Sequence, residues 1–281
     1  MSAARAGSVL YSETGGAGED GADAAPLVML HGWGLNLRVF DGLRAALGAG
    51  QRVTAIDLPG HGRSAWMAQA SPQQQLACLA AVLPRGAALV GWSLGGQLAL
   101  QLASQPALAV RRLVLIATSA RFVRADDWPH GIAAATLRAF AARLERDAGQ
   151  TVADFLELQA RGSADAAAVL ASLQLSLQQH GAAAPEALRA GLALLEHNDL
   201  RALARRIDIP ALVIAGQYDR VTPPQAARSL VQLMPRARLL QIGRAGHAPF
   251  VSHPTQVGAA LLEFIHDDSR QRPSAEPQLT P

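Results

Sequence analysis

A serine flanked by glycines is the strongest chemical signal in the sequence. The motif Gly91-Trp92-Ser93-Leu94-Gly95 follows the apolar run ALV and precedes the helix-forming stretch QLALQLA. The pattern Gly-x-Ser-x-Gly is typical of a tight turn between a strand and a helix, where small neighbours leave the serine hydroxyl accessible. The free N–H groups at the start of the following helix point to the same place. We therefore interpret Ser93 as a candidate nucleophile.

A serine hydroxyl is a weak nucleophile until a base accepts its proton. The candidates for this base are the eight histidines. His247 fits best, because it follows the strand-like run ARLLQI and precedes the last helix, as the chain order Ser…Asp…His requires. His31 and His61 lie in glycine-rich turns after strands, where a structural function is expected. His253 precedes Pro254 and is interpreted as a residue at a helix N-terminus. The remaining four are interpreted as solvated: His130, His180, His197 and His266.

The base needs an acid that holds it in the correct tautomer. Asp219 lies between the serine and the histidine, in the loop directly after the apolar run ALVIAG. Asp208 precedes that run and so lies at the wrong end of the expected strand. Asp57 follows a strand but comes before the serine, and its neighbours PGHGRS suggest that it holds a turn. The sequence therefore predicts a catalytic triad of Ser93, Asp219 and His247.

The oxyanion formed when serine attacks a carbonyl needs preorganised N–H donors. One is expected from Leu94, the residue after the nucleophile, and the other from Trp33 in the loop HGWG, where glycines allow close backbone approach. The indole of Trp33 could also form a wall of an acyl pocket. Ordinary core packing is the alternative for both Trp33 and Trp92.

These residues need elements that bring them together. Apolar runs at 27–30, 52–57, 88–92 and 111–119 alternate with stretches of helical spacing at 37–47, 72–83 and 94–104. An earlier strand is expected at Val9–Tyr11. Alternation of this kind predicts an α/β fold with a mostly parallel central sheet covered by helices on both faces.

The alternation is interrupted in the middle of the chain. From 121 to 204 only helical stretches occur, and strand-like runs return at 211–216 and 237–242. We therefore expect a core of residues 1–120 and 205–267, with a helical cap of residues 121–204 inserted into it. The polar, proline-containing segment 268–281 is expected to be a disordered tail.

The composition excludes several classes of protein. The chain has 281 residues, a net charge of +3 and 50% apolar residues, which is typical of soluble globular proteins. Cys78 is the only cysteine, so a disulfide framework and a cysteine zinc cluster are excluded. No apolar run approaches the ~20 residues that span a bilayer, and no secretory signal is expected. We expect a cytoplasmic monomer with no metal site and no nucleic-acid or membrane partner.

Taken together, the motifs resemble the α/β-hydrolase superfamily, through HGWG, DLPGHGRS, GWSLGG, the Asp219 loop and GHAPFVSHP. More narrowly, LHGWGLN, GWSLGG, DDWP at 126–129, FLELQ at 155–159 and AGHAPFVSHP resemble the carboxylesterases that hydrolyse pimeloyl-acyl-carrier-protein methyl ester in biotin synthesis. The resemblance implies no cofactor and an acyl-carrier protein as partner. The substrate-binding residues that it implies are Trp33, Ser93, Leu94, Phe155, Leu156, Glu157, Leu158, Gln159 and His247.

The resemblance therefore implies a serine carboxylesterase that releases methanol from pimeloyl-acyl-carrier-protein methyl ester through an acyl-enzyme on Ser93. A general short-chain carboxylesterase is the alternative, as is a lactone or carbon–carbon bond hydrolase with the same triad. A non-catalytic binding module on the same fold is disfavoured, because such modules usually lose a triad member and all three are present here.

The sequence departs from that family on the cap. Family members are thought to receive the acidic carrier protein on arginines of the cap helices. Here Gln150, Asp154, Ala167 and Ala171 occupy the positions expected to be basic, and residues 121–204 contain eight arginines against ten acids. Four cap arginines could still form a cluster: Arg138, Arg143, Arg146 and Arg161.

Overall fold

A computed structural model describes residues 9–16 and 26–267 of the chain, so the predicted tail at 268–281 lies outside the described residues. Its centre is a sheet in the strand order β1-β3-β2-β4-β5-β6-β7, parallel throughout except that β1 pairs antiparallel with β3. The strands are β1 (Ser12–Gly15), β2 (Leu27–Leu30), β3 (Val53–Ile56), β4 (Ala88–Trp92), β5 (Arg112–Ile116), β6 (Ala211–Gly216) and β7 (Ala237–Ile242).

Helices connect the strands and cover the sheet. Three of them precede β5: α1 (Asp41–Leu47), α2 (Pro72–Val82) and α3 (Leu94–Ala103). Five lie between β5 and β6: α4 (Ala134–Arg146), α5 (Ala148–Ala160), α6 (Ala166–His180), α7 (Pro185–His197) and the short α8 (Arg201–Ala204). The last three are α9 (Pro224–Leu233), α10 (Pro249–Ser252) and α11 (Pro254–His266). No helix in the described ranges is long and apolar enough to cross a membrane.

The sheet separates two apolar clusters, because successive side chains of a strand point to opposite faces. Met29 and Val90 pack in one cluster with residues of α1 and α11. Val28 and Leu89 pack in the other, with residues of α3 and α9. Since both faces are covered, the central strands are buried along their whole length, which explains their continuous apolar runs. The predicted α/β architecture is confirmed.

The first strand lies later in the chain than predicted. Val9–Tyr11 does not form a strand; β1 begins at Ser12 and pairs with β3, with Thr14 opposite Thr54. The polar sequence SETG has no apolar run, because β1 is an edge strand held by backbone pairing to a single neighbour. Such a strand carries little of the hydrophobic signal on which the prediction depended.

The prediction that His180 is solvated is wrong. His180 is the last residue of α6, and its Nε2 donates to Oδ2 of Asp57 at 2.8 Å, with both side chains fully buried. Asp57 holds its turn as predicted, since its carboxylate also accepts the backbone N–H of Leu37 and of Arg63. Burial raises the pKa of Asp57, against the opposing effect of these hydrogen bonds. The helix is thereby fixed to the loop after β3.

A second polar contact fixes the same helix. The side chain of Asn36 donates to the carbonyl oxygens of Ser176 and Gly181, each at 2.9 Å. Both acceptors lie in the last turn of α6 or just after it. The end of this helix is therefore attached to the core loops after β2 and β3 by side-chain hydrogen bonds as well as by apolar packing.

Removal of His180 should destabilise the protein strongly. In a His180→Ala variant the buried carboxylate of Asp57 loses its partner, so we expect the free energy of unfolding to fall by about 3 kcal/mol. Urea unfolding followed by circular dichroism measures the loss. His197→Ala, at the exposed end of α7, is the matched control and should change stability by less than about 0.5 kcal/mol. Equal stability of the two variants would contradict the importance of this pair.

Candidate active site

Ser93 lies on a strained turn between β4 and α3. Its backbone has φ 55° and ψ −116°, in a region that residues other than glycine rarely adopt. The turn also needs glycine on both sides of it. A Cβ on Gly91 would lie 2.4 Å from the Gly95 carbonyl oxygen, and a Cβ on Gly95 would lie 2.3 Å from the Leu30 carbonyl oxygen. The glycines therefore allow the turn to fold against itself and against β2.

The predicted base and acid are in contact. Nδ1 of His247 lies 2.8 Å from Oδ2 of Asp219, and both side chains are buried. The other oxygen of Asp219 accepts the backbone N–H groups of Val221 and Thr222, each at 2.8 Å. An ionised carboxylate only accepts hydrogen bonds, so Nδ1 of His247 carries the proton and Nε2 has the free lone pair. Nε2 has no hydrogen-bond partner among the described residues.

Trp92 connects His247 to the nucleophile turn. This residue immediately precedes Ser93, and its indole Nε1 donates to the His247 carbonyl oxygen at 2.9 Å. The two rings lie with their centroids 5.7 Å apart. The His247 backbone N–H donates to the Gln159 carbonyl oxygen at 3.1 Å. Trp92 is thus a buried core residue, as the packing alternative proposed, and it also positions the loop that carries the base.

Parallel strands bring the three residues of the predicted triad to one edge of the sheet. Ser93 follows β4, Asp219 lies in the loop after β6, and His247 lies in the loop after β7. All three loops leave the carboxyl ends of their strands, which is where open α/β sheets bind ligands. The structure therefore places the three predicted residues at the same edge of the sheet, with His247 and Asp219 in contact.

The loop after β2 approaches the start of α3. A Cβ on Gly95 would lie 2.4 Å from the His31 carbonyl oxygen, so the two backbones are in contact. Within the described residues, neither the Trp33 nor the Leu94 backbone N–H donates a hydrogen bond. Both expected oxyanion donors are thus available in adjoining segments. No three His, Cys, Asp or Glu side chains of the described residues gather as a set of metal ligands.

An apolar cavity of about 150 Å³ lies beside Trp33. The indole of Trp33 is fixed by a hydrogen bond from Nε1 to the Leu188 carbonyl oxygen at 2.8 Å, and its ring packs edge-on against Phe140 and Phe155. The residues that line the cavity are Trp33, Phe122, Ile132, Thr136, Leu137, Phe140, Phe155, Leu158, Leu192, Leu195, Arg220 and Val221. The cavity is apolar and adjoins the predicted site through Trp33, while Ser93, Leu94 and His247 are not among its lining residues.

A family model for the alpha/beta hydrolase fold matches residues 25–254. The chain belongs to the alpha/beta hydrolase family. A protein of Nitrosomonas europaea named pimeloyl-[acyl-carrier protein] methyl ester esterase is 43% identical over 247 residues, which cover 88% of this chain and 96% of that protein. A protein of the same name from Chromobacterium violaceum is 41% identical over 256 residues, covering 91% of this chain and 98% of the other.

Solved structures of other alpha/beta hydrolases have the same fold. An esterase from Exiguobacterium antarcticum superposes with a TM-score of 0.80 at 23% identity, covering 91% of this chain and 95% of that one. An enol-lactonase from Burkholderia xenovorans superposes with a TM-score of 0.74 at 24% identity, covering 91% and 96%. At this identity the likeness concerns the fold alone.

The five side chains of the segment FLELQ in this alpha/beta hydrolase lie in different environments. Phe155 and Leu158 line the cavity. Leu156 instead packs in the core cluster, and Glu157 is exposed. Gln159 is buried, and its carbonyl oxygen holds the His247 backbone. Five consecutive residues of a helix point in all directions, so only two of them reach the cavity.

Sequence reasoning missed Phe122, Phe140 and Arg220 as residues of the site. Leu137 and Phe140 lie three residues apart on α4, which marks an apolar face but not what that face covers. Arg220 follows the predicted acid directly, and this adjacency was the one available signal for it. The aromatic contacts of Trp33 link residues more than 100 positions apart, and no local pattern encodes them.

Replacement of Asp219 tests the acid. In Asp219→Asn the amide can present its N–H to Nδ1 and stabilise the wrong tautomer, so we expect kcat to fall by about 10⁴-fold. The measurement is steady-state hydrolysis of a small methyl ester. Asp208→Asn is the matched control, because Asp208 is exposed and precedes β6 at the opposite edge of the sheet. Near-normal turnover by Asp219→Asn would mean that another group orients His247.

Two buried histidines near the site should make stability depend on pH. His31 donates from Nδ1 to the Gly32 carbonyl oxygen and accepts the Leu58 N–H at Nε2, so its ring is neutral, and burial holds its pKa well below 6.5. The ring of His61 lies 5.2 Å away. Nε2 of His61 has no partner among the described residues, and burial lowers the pKa of this histidine to about 4.

Since these pKa values are lower in the folded state, the unfolded chain binds more protons between pH 4 and 6.5. The free energy of unfolding should therefore rise as pH increases through this window, by about 3 kcal/mol for His61 alone. Urea unfolding at several pH values measures the slope. His61→Gln should flatten the slope, whereas His197→Gln, at an exposed position, should not. An unchanged slope in His61→Gln would contradict the assignment.

Proposed function

We propose that the chain is a serine carboxylesterase that hydrolyses pimeloyl-acyl-carrier-protein methyl ester to pimeloyl-acyl-carrier protein and methanol, in biotin synthesis. The observation that carries this proposal is the hydrogen bond from His247 to Asp219, at the sheet edge that also holds Ser93. Two relatives with this activity in their names, at 43% and 41% identity, support the substrate.

In the first half of the proposed reaction, Oγ of Ser93 attacks the carbonyl carbon of the methyl ester. Nε2 of His247 accepts the serine proton, and Asp219 stabilises the imidazolium through Nδ1. The backbone N–H groups of Trp33 and Leu94 donate to the oxyanion that forms. The tetrahedral intermediate then expels methoxide, which takes the proton from Nε2 and leaves as methanol.

Water completes the reaction. Nε2 of His247 accepts a proton from water, whose oxygen attacks the acyl-enzyme carbonyl at the same oxyanion donors. The second tetrahedral intermediate releases Ser93, which regains its proton from the imidazolium, and the product is a free carboxylic acid that ionises in solution. Every atom in both halves comes from the chain, the ester or one water, so the proposal requires no metal or organic cofactor.

The cavity supports an ester of a long apolar acid. Its aromatic and aliphatic walls exclude water from methylene groups, which favours their binding at roughly 25 cal/mol for each Å² buried. Trp33 belongs both to this wall and to the oxyanion loop, so an acyl chain in the cavity would place its ester end near Ser93. The thioester at the other end of the chain would then stay away from the nucleophile.

We propose the corresponding domain division, with a core of residues 1–120 and 205–267 and a cap of residues 121–204. Its support is that α4 to α7 lie between β5 and β6 and that both parts line the cavity, Val221 from one and Phe155 from the other. A cytoplasmic monomer that acts on the carrier-bound ester completes the proposal.

A comparison of substrates tests the function. We expect kcat/KM for pimeloyl-acyl-carrier-protein methyl ester to exceed that for free short-chain methyl esters by about 100-fold, equivalent to about 2.7 kcal/mol of additional transition-state binding. The assay measures methanol release from each ester. Ser93→Ala is the control and should abolish release from both. Equal efficiency on both esters would favour a general short-chain carboxylesterase, and faster cleavage of lactones would favour that alternative.

A further inference from the structure

Three exposed arginines lie on the loops that surround the base and its acid. Arg161 follows α5, Arg220 directly follows Asp219, and Arg244 lies in the turn between β7 and His247. None of the three side chains makes an ion pair or a hydrogen bond with another described residue. Their positive charges are therefore available to a partner.

Backbone and side-chain contacts join these loops into one surface. The Ala164 N–H donates to the Arg244 carbonyl oxygen at 2.8 Å, and the Arg244 N–H donates to Oε1 of Gln217 at 3.1 Å. Gly162 lies directly on Tyr218, since a Cβ on this glycine would be 2.6 Å from the Tyr218 Cβ. We call Arg161, Tyr218, Arg220 and Arg244 the mouth patch.

The mouth patch meets the apolar cavity at Arg220. The side chain of this residue is exposed and also lines the cavity, where it is the one charged group among the lining residues. Tyr218, on the other side of Asp219, is 51% exposed. A molecule in the cavity would therefore lie beside one cation, Arg220, with the exposed ring of Tyr218 two residues away in the chain.

Many other arginines of the segment 121–204 are neutralised by acids. The pairs are Arg121–Asp199, Arg138–Glu196, Arg143–Asp154, Arg189–Glu145 and Arg201–Asp127. The acids closest in sequence to Arg161 are Glu157 and Asp165, and neither pairs with an arginine. Asp165 accepts the Ala168 N–H at the start of α6. Of the exposed charges in these segments three are positive, on Arg161, Arg220 and Arg244, and two are negative, on Glu157 and Asp165. Asp219 is buried and bonded to His247, so it does not contribute an exposed charge.

We propose that the mouth patch is the docking surface for the acidic acyl-carrier protein. This rests on the function proposed above, and it moves the contact from the cap-helix positions Gln150, Asp154, Ala167 and Ala171 to the loops beside the triad. Arginine presents several N–H donors in a planar fork that matches the carboxylates of such a protein. Tyr218 adds an aromatic contact of the kind that is enriched at interfaces. A carrier docked on this surface would contact Arg220, which also lines the cavity proposed to hold the acyl chain.

Charge reversal tests the surface. In the double variant Arg161→Glu with Arg244→Glu, we expect KM for pimeloyl-acyl-carrier-protein methyl ester to rise about tenfold or more, because rim charges control encounter. The kcat for this substrate, and kcat/KM for a free methyl ester, should stay within about twofold of wild type, because neither residue lines the cavity. The defect should shrink in ~0.5 M salt, which screens exposed charges.

A charge-matched control reverses two arginines at the opposite edge of the sheet. Arg111 and Arg206 are exposed and precede β5 and β6, far from the carboxyl ends of the strands. The double variant Arg111→Glu with Arg206→Glu should keep the wild-type KM for the carrier-bound ester. If it raises this KM as much as the mouth-patch variant does, overall charge is responsible and the docking surface is overturned.

The outcomes separate the two proposals. A mouth-patch variant that keeps the wild-type KM for the carrier-bound ester overturns the docking surface and leaves the esterase function intact. A wild-type enzyme with no preference for the carrier-bound ester overturns the function and the docking surface together. If the glutamate variant loses activity on the free ester as well, Arg161→Gln with Arg244→Gln removes the charges with less disturbance, and the same criteria apply to it.

Discussion

The backbone at Ser93 is the constraint on which the rest of the site depends. A non-glycine residue at φ 55° costs about 1–3 kcal/mol and persists only where the surrounding structure holds it. Here β4 and α3 hold it from both sides, and glycines at 91 and 95 allow the carbonyl groups of neighbouring segments to approach. The same geometry that strains the serine leaves the Leu94 N–H without a partner among the described residues. The strained turn and the proposed oxyanion donor thus have one structural cause.

Two tryptophans connect this turn and the loop after β2 to other segments of the chain through indole hydrogen bonds. Trp92 precedes the serine and donates to the His247 carbonyl oxygen, so the strand that ends at the nucleophile also positions the loop of the base. Trp33 follows β2 and donates to the Leu188 carbonyl oxygen of α7, while its ring forms part of the cavity wall. Each indole combines a large apolar face with one N–H donor, which suits it to a buried junction between polar backbone and apolar packing.

The buried contacts around Asp57 also fix helices that lie between β5 and β6. His180 and Asn36 attach α6 to the loops after β3 and β2, and the Gln159 carbonyl oxygen at the end of α5 holds the His247 backbone. The ends of α5 and α6 are therefore hydrogen-bonded to core loops, including the loop of His247. The mouth patch lies on the loops that connect these parts, where a docked partner would contact the end of α5 and the loops of the acid and the base.

The sequence by itself determined the α/β architecture, the nucleophile turn, and the selection of Asp219 and His247. These signals are local: apolar runs set the strands, glycine spacing sets the turn, and the position of a residue after a strand sets the edge of the sheet where it lies. Only the tertiary structure decided that His180 is buried against Asp57, that β1 begins at Ser12, and that Phe155 and Leu158 reach the cavity while Leu156 and Glu157 do not. Each of these depends on which distant segment packs against a given face, and residues such as 57 and 180 or 33 and 155 become neighbours only when the chain is folded.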